Sequence, residues 1–200
     1  MKSKIVTACM FIALMSVSTS TAFANDTPVP ITPVLQPSPH TIIIPLNTND
    51  FELRMFLLIN AERVIRGLPP FIWHYGLASA ARVHSEDLAY NNIFGHIGSD
   101  GSDASQRLFR AGVRHVDRAE NISGGQNSPE AVLTSWMSPY INVPNIYGAS
   151  LNIPNIYLAN ILSEDLTHLG VGFVEMEDSI LGYYVTLKFG TLPHATRPDR

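Results

Sequence analysis

The sequence predicts an α+β domain in which helices pack on a small antiparallel sheet. Three stretches, beginning near residues 50, 77 and 129, repeat apolar residues at intervals of three and four, which is typical of amphipathic helices. Two later stretches, Leu169 to Met176 and Tyr183 to Phe189, are short, β-branched or aromatic, and separated by the polar pair Glu177-Asp178. With 200 residues, 46% of them hydrophobic, the chain can bury a core, and helices with a small sheet favour a layered domain.

Residues 1–24 resemble a secretory signal peptide. Lys2 and Lys4 give it a basic start, an apolar run follows, and Ala22-Phe23-Ala24 has the small-x-small pattern of a cleavage site. The apolar run is too short for a membrane span, so we expect no transmembrane segment in the mature chain. We expect cleavage near Ala24 and export to the periplasm or the extracellular space.

The mature chain lacks both cysteine and any basic cluster. Cys9 is the one cysteine, and cleavage removes it, so disulfides and thiol catalysis are excluded. Without Lys2 and Lys4, the 13 basic residues fall to 11 against 17 acidic ones, a net charge of −6. Nucleic acid is therefore disfavoured as a partner.

A proline-rich spacer follows the signal peptide over residues 25–47. It contains six prolines, which fix φ and remove hydrogen-bond donors, so an extended segment is expected. Within it, Thr41-Ile42-Ile43-Ile44 is predicted to be a lead-in strand on a sheet edge or on the domain surface. The folded domain is predicted over residues 48–190, and a flexible tail over 191–200.

The first two helices have recognisable ends. A helix is predicted to start at Asn49 or Asp50, where a side-chain acceptor caps the first turn, and to end at Gly67 before Pro69-Pro70. Its expected buried face is Leu53, Phe56, Leu57, Ala61 and Val64. A second helix is predicted from Gly76 or Leu77 to Asn91.

Two shorter helices and a third strand complete the domain. One helix is predicted from Asp103 to Arg110, and another begins at Ser128-Pro129-Glu130, where a hydroxyl cap precedes proline, and stops at Pro139. A strand near Asn121-Ile122-Ser123 is expected to join the hairpin.

One segment occurs twice in tandem. Residues 141–150, INVPNIYGAS, are echoed by residues 151–160, LNIPNIYLAN. A single short duplication is too little for a solenoid, so we interpret it as a local expansion of a loop.

Four short motifs occur in a recognisable order: Phe94-Gly95-His96, Ala119-Glu120-Asn121-Ile122, Ala159-Asn160-Ile161-Leu162 and Thr167 to Gly172. Together with Leu57 to Trp73 upstream, this order resembles the CAP superfamily of cysteine-rich secretory proteins, antigen 5 and pathogenesis-related proteins, in its compact bacterial form. The resemblance covers about Asp50 to Gly190. It implies an α-β-α layered sandwich with a cleft that gathers two histidines and two glutamates.

This chain matches only part of that cleft. His96 and Glu120 stand at the positions of the family's first histidine and first glutamate. Tyr157 replaces the second histidine, and His168 replaces the second glutamate. The resemblance therefore implies a ligand-binding cleft of His96, Glu120 and His168, with Tyr157 nearby.

His96 and Glu120 each have an alternative, purely structural role. His96 is either a cleft ligand or a loop histidine bonded to backbone, and Glu120 is either a cleft carboxylate or an ion-pair partner of Arg114 or Arg118. Two imidazoles and one carboxylate, His96, His168 and Glu120, suit zinc or another divalent metal, although no metal is certain. His84 is expected to be a core histidine.

Three functions remain open. The sequence favours a non-enzymatic binding domain for a small ligand, lipid, cell-wall fragment or peptide. The second is a metal-dependent hydrolase or peptidase in which His96 and His168 bind metal and Glu120 activates water. The third is an envelope interaction protein with a vestigial cleft, in which the duplicated loop makes the contact.

Overall fold

The computed structural model describes residues 48–114, 118–144 and 150–191. The predicted signal peptide, the spacer with its Ile42–Ile44 run, and all but the first residue of the predicted tail lie outside these ranges, as does His115. The helices described are α1 (Asp50–Ile65), α2 (Tyr75–Tyr90), α3 (Ala104–Arg110), α4 (Pro129–Trp136) and α5 (Ile156–Ile161). The strands described are β1 (Ile72–Trp73), β2 (Arg118–Gly124), β3 (Tyr140–Pro144), β4 (Ser150–Pro154), β5 (His168–Glu175) and β6 (Tyr183–Gly190).

The predicted α+β layered fold is confirmed, with one correction to the sheet. Four strands are ordered β1-β5-β6-β2, and the β5–β6 hairpin and its antiparallel neighbour β2 are as expected. The sheet is mixed rather than antiparallel because β1 pairs in parallel with β5. Two residues, Ile72 and Trp73, are too few to show an alternating pattern, so the sequence gives no signal for β1.

Helix α2 lies directly on one face of the sheet, and two glycines of β5 make this possible. A Cβ atom at Gly170 would stand 2.1 Å from the backbone nitrogen of Ala78, and one at Gly172 would stand 2.2 Å from that of Arg82. Helix α3 packs beside α2, with Leu108 against Leu77 and Ala80 in a small apolar cluster. This layer carries the loop that contains His96.

The opposite face carries the main apolar core. Residues of α1, α4 and α5 pack there against alternate residues of the strands, and the core includes Phe56, Trp136, Leu187 and Phe189. The sheet is thus covered on both sides, which is the α-β-α arrangement that the sequence implies.

The buried face of α1 differs from the predicted one. Ala61 is exposed, whereas Glu52, Asn60 and Arg63 are buried. Each buried polar group has partners: Glu52 accepts from Arg82 at 2.7 and 2.5 Å, and Asn60 exchanges two hydrogen bonds with the backbone of Phe71. Arg63 donates to three carbonyl oxygens, those of Pro69, Ile161 and Ser163, at 2.8 Å each. A pattern of apolar residues cannot identify a buried helix face whose polar side chains have hydrogen-bond partners.

The duplicated segment forms a hairpin rather than a loop. Strand β3 pairs antiparallel with β4, so that Ile141 opposes Ile153 and Asn142 opposes Asn152. The second copy then continues into α5, which the sequence does not predict, and Asn155 caps its start. Within the described ranges, no helix is long and apolar enough to cross a membrane.

Candidate functional site

A buried ion pair between two strands forms the base of the candidate site. Glu120 of β2 opposes Lys188 of β6 in the register, so both side chains point to the face that α2 covers. The side chain of Glu120 is 4% exposed and that of Lys188 is fully buried, and the ammonium group contacts the carboxylate directly.

Arg107 of α3 supplies a second cation to the same carboxylate. Its Nη2 donates to Glu120 Oε2 at 3.0 Å and to Oε1 at 3.2 Å, and its side chain is 4% exposed. The guanidinium also donates to the backbone oxygens of Ser102 at 2.6 Å and His96 at 2.9 Å. Arg107 therefore ties α3 and the His96 loop to strand β2.

His96 is the member of the cluster that reaches the surface. Its Nδ1 lies 2.7 Å from Glu120 Oε1, and its side chain is 53% exposed. Because an ionised carboxylate only accepts hydrogen bonds, Nδ1 carries the proton, and Nε2 is the nitrogen left for a ligand. The sequence-predicted pair His96 and Glu120 is thus brought together.

His84 of α2 lies beneath the cluster. It is fully buried, its Nε2 donates to the carbonyl oxygen of Gly95 at 3.0 Å, and the same nitrogen is 3.8 Å from Glu120 Oε1. Burial lowers the pKa of His84 to about 4, so this imidazole is neutral at pH 7. His84 is a core histidine, as the sequence suggests, but one that borders the site.

The carboxylate and the ammonium group are both charged at neutral pH. Burial raises the pKa of Glu120, but the hydrogen bond from His96 and the Lys188 charge outweigh it and lower the pKa to about 2. Burial lowers the pKa of Lys188 to about 8, and Glu120 opposes a larger change. The site therefore holds one buried anion and two buried cations.

His168 lies at the same end of the sheet but beside another histidine. It starts β5, opposite Gly190 of β6, and shares a sheet face with Glu120 two strands away. Strand spacing places the two Cα atoms about 12 Å apart. The His168 ring packs edge-on to that of His74, with 6.0 Å between centroids, and its Nδ1 lies 2.8 Å from Thr167 Oγ1.

Tyr157 lies on the opposite side of the sheet. Asn121, next to Glu120 in β2, points to that side and donates to the backbone oxygen of Tyr157 at 3.1 Å. The Tyr157 ring packs near Trp136, at 6.1 Å between centroids, and borders the main core. The structure thus groups His96 with Glu120 and places Tyr157 apart from them.

The residues present do not fit the zinc site that the sequence suggests. Among the described residues, no three His, Cys, Asp or Glu side chains stand where they could hold one metal ion. Both oxygens of Glu120 already accept hydrogen bonds, and the charges of Arg107 and Lys188 would repel a divalent cation at that carboxylate.

Two residues of the site, Arg107 and Lys188, are absent from the sequence-based prediction, which considers Arg114 and Arg118 as partners of Glu120. A signal for one of them exists in the sequence. Lys188 is the one lysine that remains after signal cleavage, and it stands between Leu187 and Phe189 in an apolar strand. A lysine in that setting is rarely buried unless it is paired. Arg107 carries no comparable signal.

A separate apolar groove of about 530 Å³ lies between α1 and α4. It is lined by Asp50, Phe51, Leu53, Arg54, Leu57 and Pro129. It contains none of the predicted site residues.

Comparison with known proteins places this geometry in a family context. The model of the cysteine-rich secretory protein family, CAP, matches residues 56–189. The YkwD protein of Bacillus subtilis (strain 168) is 30% identical over 135 residues, which cover 68% of this chain and 47% of YkwD. The B. subtilis membrane protein YlbC is 30% identical over 121 residues, 60% of this chain and 31% of YlbC. The chain thus spans less than half the length of these two relatives.

Solved structures share the fold. An extracellular protein containing a SCP domain, from Bacillus anthracis, is 27% identical with a TM-score of 0.54; the match covers 69% of this chain and 39% of that one. An outer surface protein from Borrelia burgdorferi is 16% identical with a TM-score of 0.57, over 70% of this chain and 91% of that one. At this identity, the second comparison concerns the fold alone.

Proposed function

Because this chain belongs to the cysteine-rich secretory protein (CAP) family, we propose that it is a non-enzymatic binding domain whose ligand contacts the exposed edge of His96. The ligand class is a small molecule, lipid, cell-wall fragment or peptide. The proposed place of action is outside the cytoplasm, after removal of residues 1–24. The signal-like leader supports export, and so does the related B. anthracis protein, which is described as extracellular.

The observation that carries this proposal is that both carboxylate oxygens of Glu120 already have hydrogen-bond partners. A general base or a metal-bound carboxylate needs a free oxygen, but Glu120 is buried, its pKa is lowered to about 2, and it contacts His96, Arg107 and Lys188. A carboxylate so stabilised in its charged form is a poor proton acceptor at pH 7. Its effect is instead to fix the orientation of His96, as expected of a recognition site.

The metal-dependent hydrolase is less well supported than binding. It requires His96, His168 and Glu120 around one ion, and they do not form a group suited to a metal. The envelope-interaction alternative has one observation in its favour, since Tyr140 and Ile153 on the β3–β4 hairpin are 58% and 44% exposed.

Affinity selection followed by mass spectrometry tests the proposal. Purified wild type, His96→Ala and, as a matched histidine control, His168→Ala would be incubated with cell-wall fragments, peptides and lipids, with and without EDTA. We expect wild type and His168→Ala to retain the same compounds unchanged, insensitively to EDTA, and His96→Ala to lose them.

Other results would contradict the proposal in distinct ways. Release of cleaved products that EDTA abolishes would establish the hydrolase. Retention by His96→Ala, but not by the double variant Tyr140→Ala and Ile153→Ala, would move the binding surface to the hairpin.

A further inference from the structure

We infer that the ligand held at His96 is a small molecule that carries a carboxylate next to an apolar part. This inference rests on the proposed binding function and specifies the chemistry of its ligand. Three independent features of the site support it: its net charge, its surplus of hydrogen-bond donors and the apolar residues beside His96.

The buried part of the site has one positive charge more than it can pair. Arg107 and Lys188 share the single carboxylate of Glu120, and neither forms an ion pair with any other carboxylate among the described residues. His84 is buried and neutral. Asp103 acts on Lys188 from further away, but it is exposed and caps α3. Buried charges are normally paired, so a net charge of +1 favours an anion at the open side of the cluster.

The same cluster has more donors than acceptors. Within the described ranges, two buried atoms of the cluster have no hydrogen-bond partner: the donor Arg107 Nε and the acceptor Nδ1 of His84. The one hydrogen bond described for the Lys188 ammonium group, which has three N–H donors, goes to Glu120. A ligand that brings acceptor oxygens complements such a site better than one that brings N–H groups.

Two large apolar residues, Phe94 and Ile97, flank His96 in the sequence. Phe94 is 52% exposed and Ile97 is 57% exposed, and both belong to the loop that carries the imidazole. In small-molecule sites a few polar groups fix the orientation of the ligand, and the apolar surface beside them adds affinity. The ligand is therefore expected to carry an apolar part beside its carboxylate.

Matched pairs of probes isolate the charge. NMR titration of the purified protein, following the ring signals of His96, would compare N-acetyl-leucine with N-acetyl-leucinamide, and octanoate with octanamide. The first pair represents a peptide end and the second a lipid, so the tighter carboxylate identifies the source. We expect each carboxylate to bind about fivefold more tightly than its amide, the effect of one unpaired charge at a wet site.

Variants that change the buried charge test its role. In Lys188→Met the buried cluster has no net charge, so the ratio of carboxylate affinity to amide affinity should fall to about one. In Glu120→Gln the cluster has one more positive charge than in wild type, so this ratio should rise. Arg107→Met is neutral in the same way and serves if Lys188→Met does not fold. Ile97→Ala should weaken both members of a pair, whereas Ile156→Ala, at a similarly exposed isoleucine on α5, should change neither.

A wild-type preference near one, or one that stays unchanged in the neutral variant, would overturn this inference. The proposed function would survive that result if His96→Ala still lost the compounds retained by wild type. Loss of both effects together would overturn the binding function as well.

Discussion

At the scale of single residues, His84 links the site to acid stability. Its pKa is lowered to about 4 by burial, against an ordinary value of 6.5. Between these values the unfolded chain takes up a proton and the folded chain does not, so the free energy of unfolding falls as the pH drops from 6.5 towards 4. The full difference corresponds to about 3 kcal/mol.

Urea denaturation at pH 7, 6, 5 and 4.5 checks this expectation. His84→Gln keeps an N–H group for the Gly95 carbonyl but cannot be protonated, so its free energy of unfolding should depend less steeply on pH in this window. Glu120, Arg107 and Lys188, which face His84, are the same in both proteins, so the difference isolates the imidazole. Equal slopes in the two proteins would contradict the assignment.

Asn155 joins two helices through one side chain. Its Oδ1 accepts from the backbone of Tyr157 and Leu158 at the start of α5. Its Nδ2 donates to the carbonyls of Trp136 and Ser138 at the C-terminal end of α4, at 3.0 and 2.8 Å. Asn155→Ala should lower the free energy of unfolding by about 2 to 3 kcal/mol, because a cap is lost and buried carbonyls lose their donor. The exposed Asn152→Ala is the control. A thermal unfolding midpoint equal in the two variants would show that Asn155 is dispensable.

At the scale of secondary structure elements, the glycines of β5 set the distance between α2 and the sheet. A methyl group at Gly172 would meet backbone atoms of Ala81 and Arg82, which cannot rotate away. Gly172→Ala should therefore destabilise the domain by about 3 kcal/mol by pushing the helix off the strand. Gly95→Ala, where a Cβ meets no atom within 4 Å, should be nearly neutral in the same denaturation experiment. Two variants of equal stability would show that α2 can shift without cost.

The elements that the sequence predicts well are those with a local signal. Ser128 and Pro129 mark the start of α4, and Asp103 marks that of α3. Short β-branched or aromatic runs on either side of a polar turn mark the hairpin. Strand β1 and helix α5 are not predicted from the sequence because they are short and depend on contacts with residues distant in the chain, such as the pairing of β1 with β5. The same holds for the site. His96 and Glu120 stand in family motifs, and Lys188 is marked by its place in an apolar strand, although its pairing with Glu120 depends on the β2–β6 register. Arg107 joins them through tertiary packing alone.

At the scale of the whole molecule, the tandem repeat is expected to be separable from the fold. The second copy supplies Asn155, α5 and the Asn160–Asn121 hydrogen bond of 2.8 Å. Deleting residues 141–150 leaves all of these in place and joins Tyr140 to Leu151. We expect this chain to unfold cooperatively, within about 1 kcal/mol of wild type, because loop-length changes cost little. A loss of cooperative unfolding would show that the hairpin belongs to the core.

The order of the strands also determines when the domain can fold. Its two central strands, β5 and β6, follow every other element described, so the four-stranded sheet cannot form until residues 168–190 have been made. We expect a chain truncated after Thr167 to be digested by protease as fast as an unfolded one, and a folded fragment of that length would contradict this. Without its two central strands, a growing chain lacks the sheet on which the helices of both layers pack. If the protein is exported as proposed, it stays unfolded enough to pass through a narrow channel until these two strands have been made.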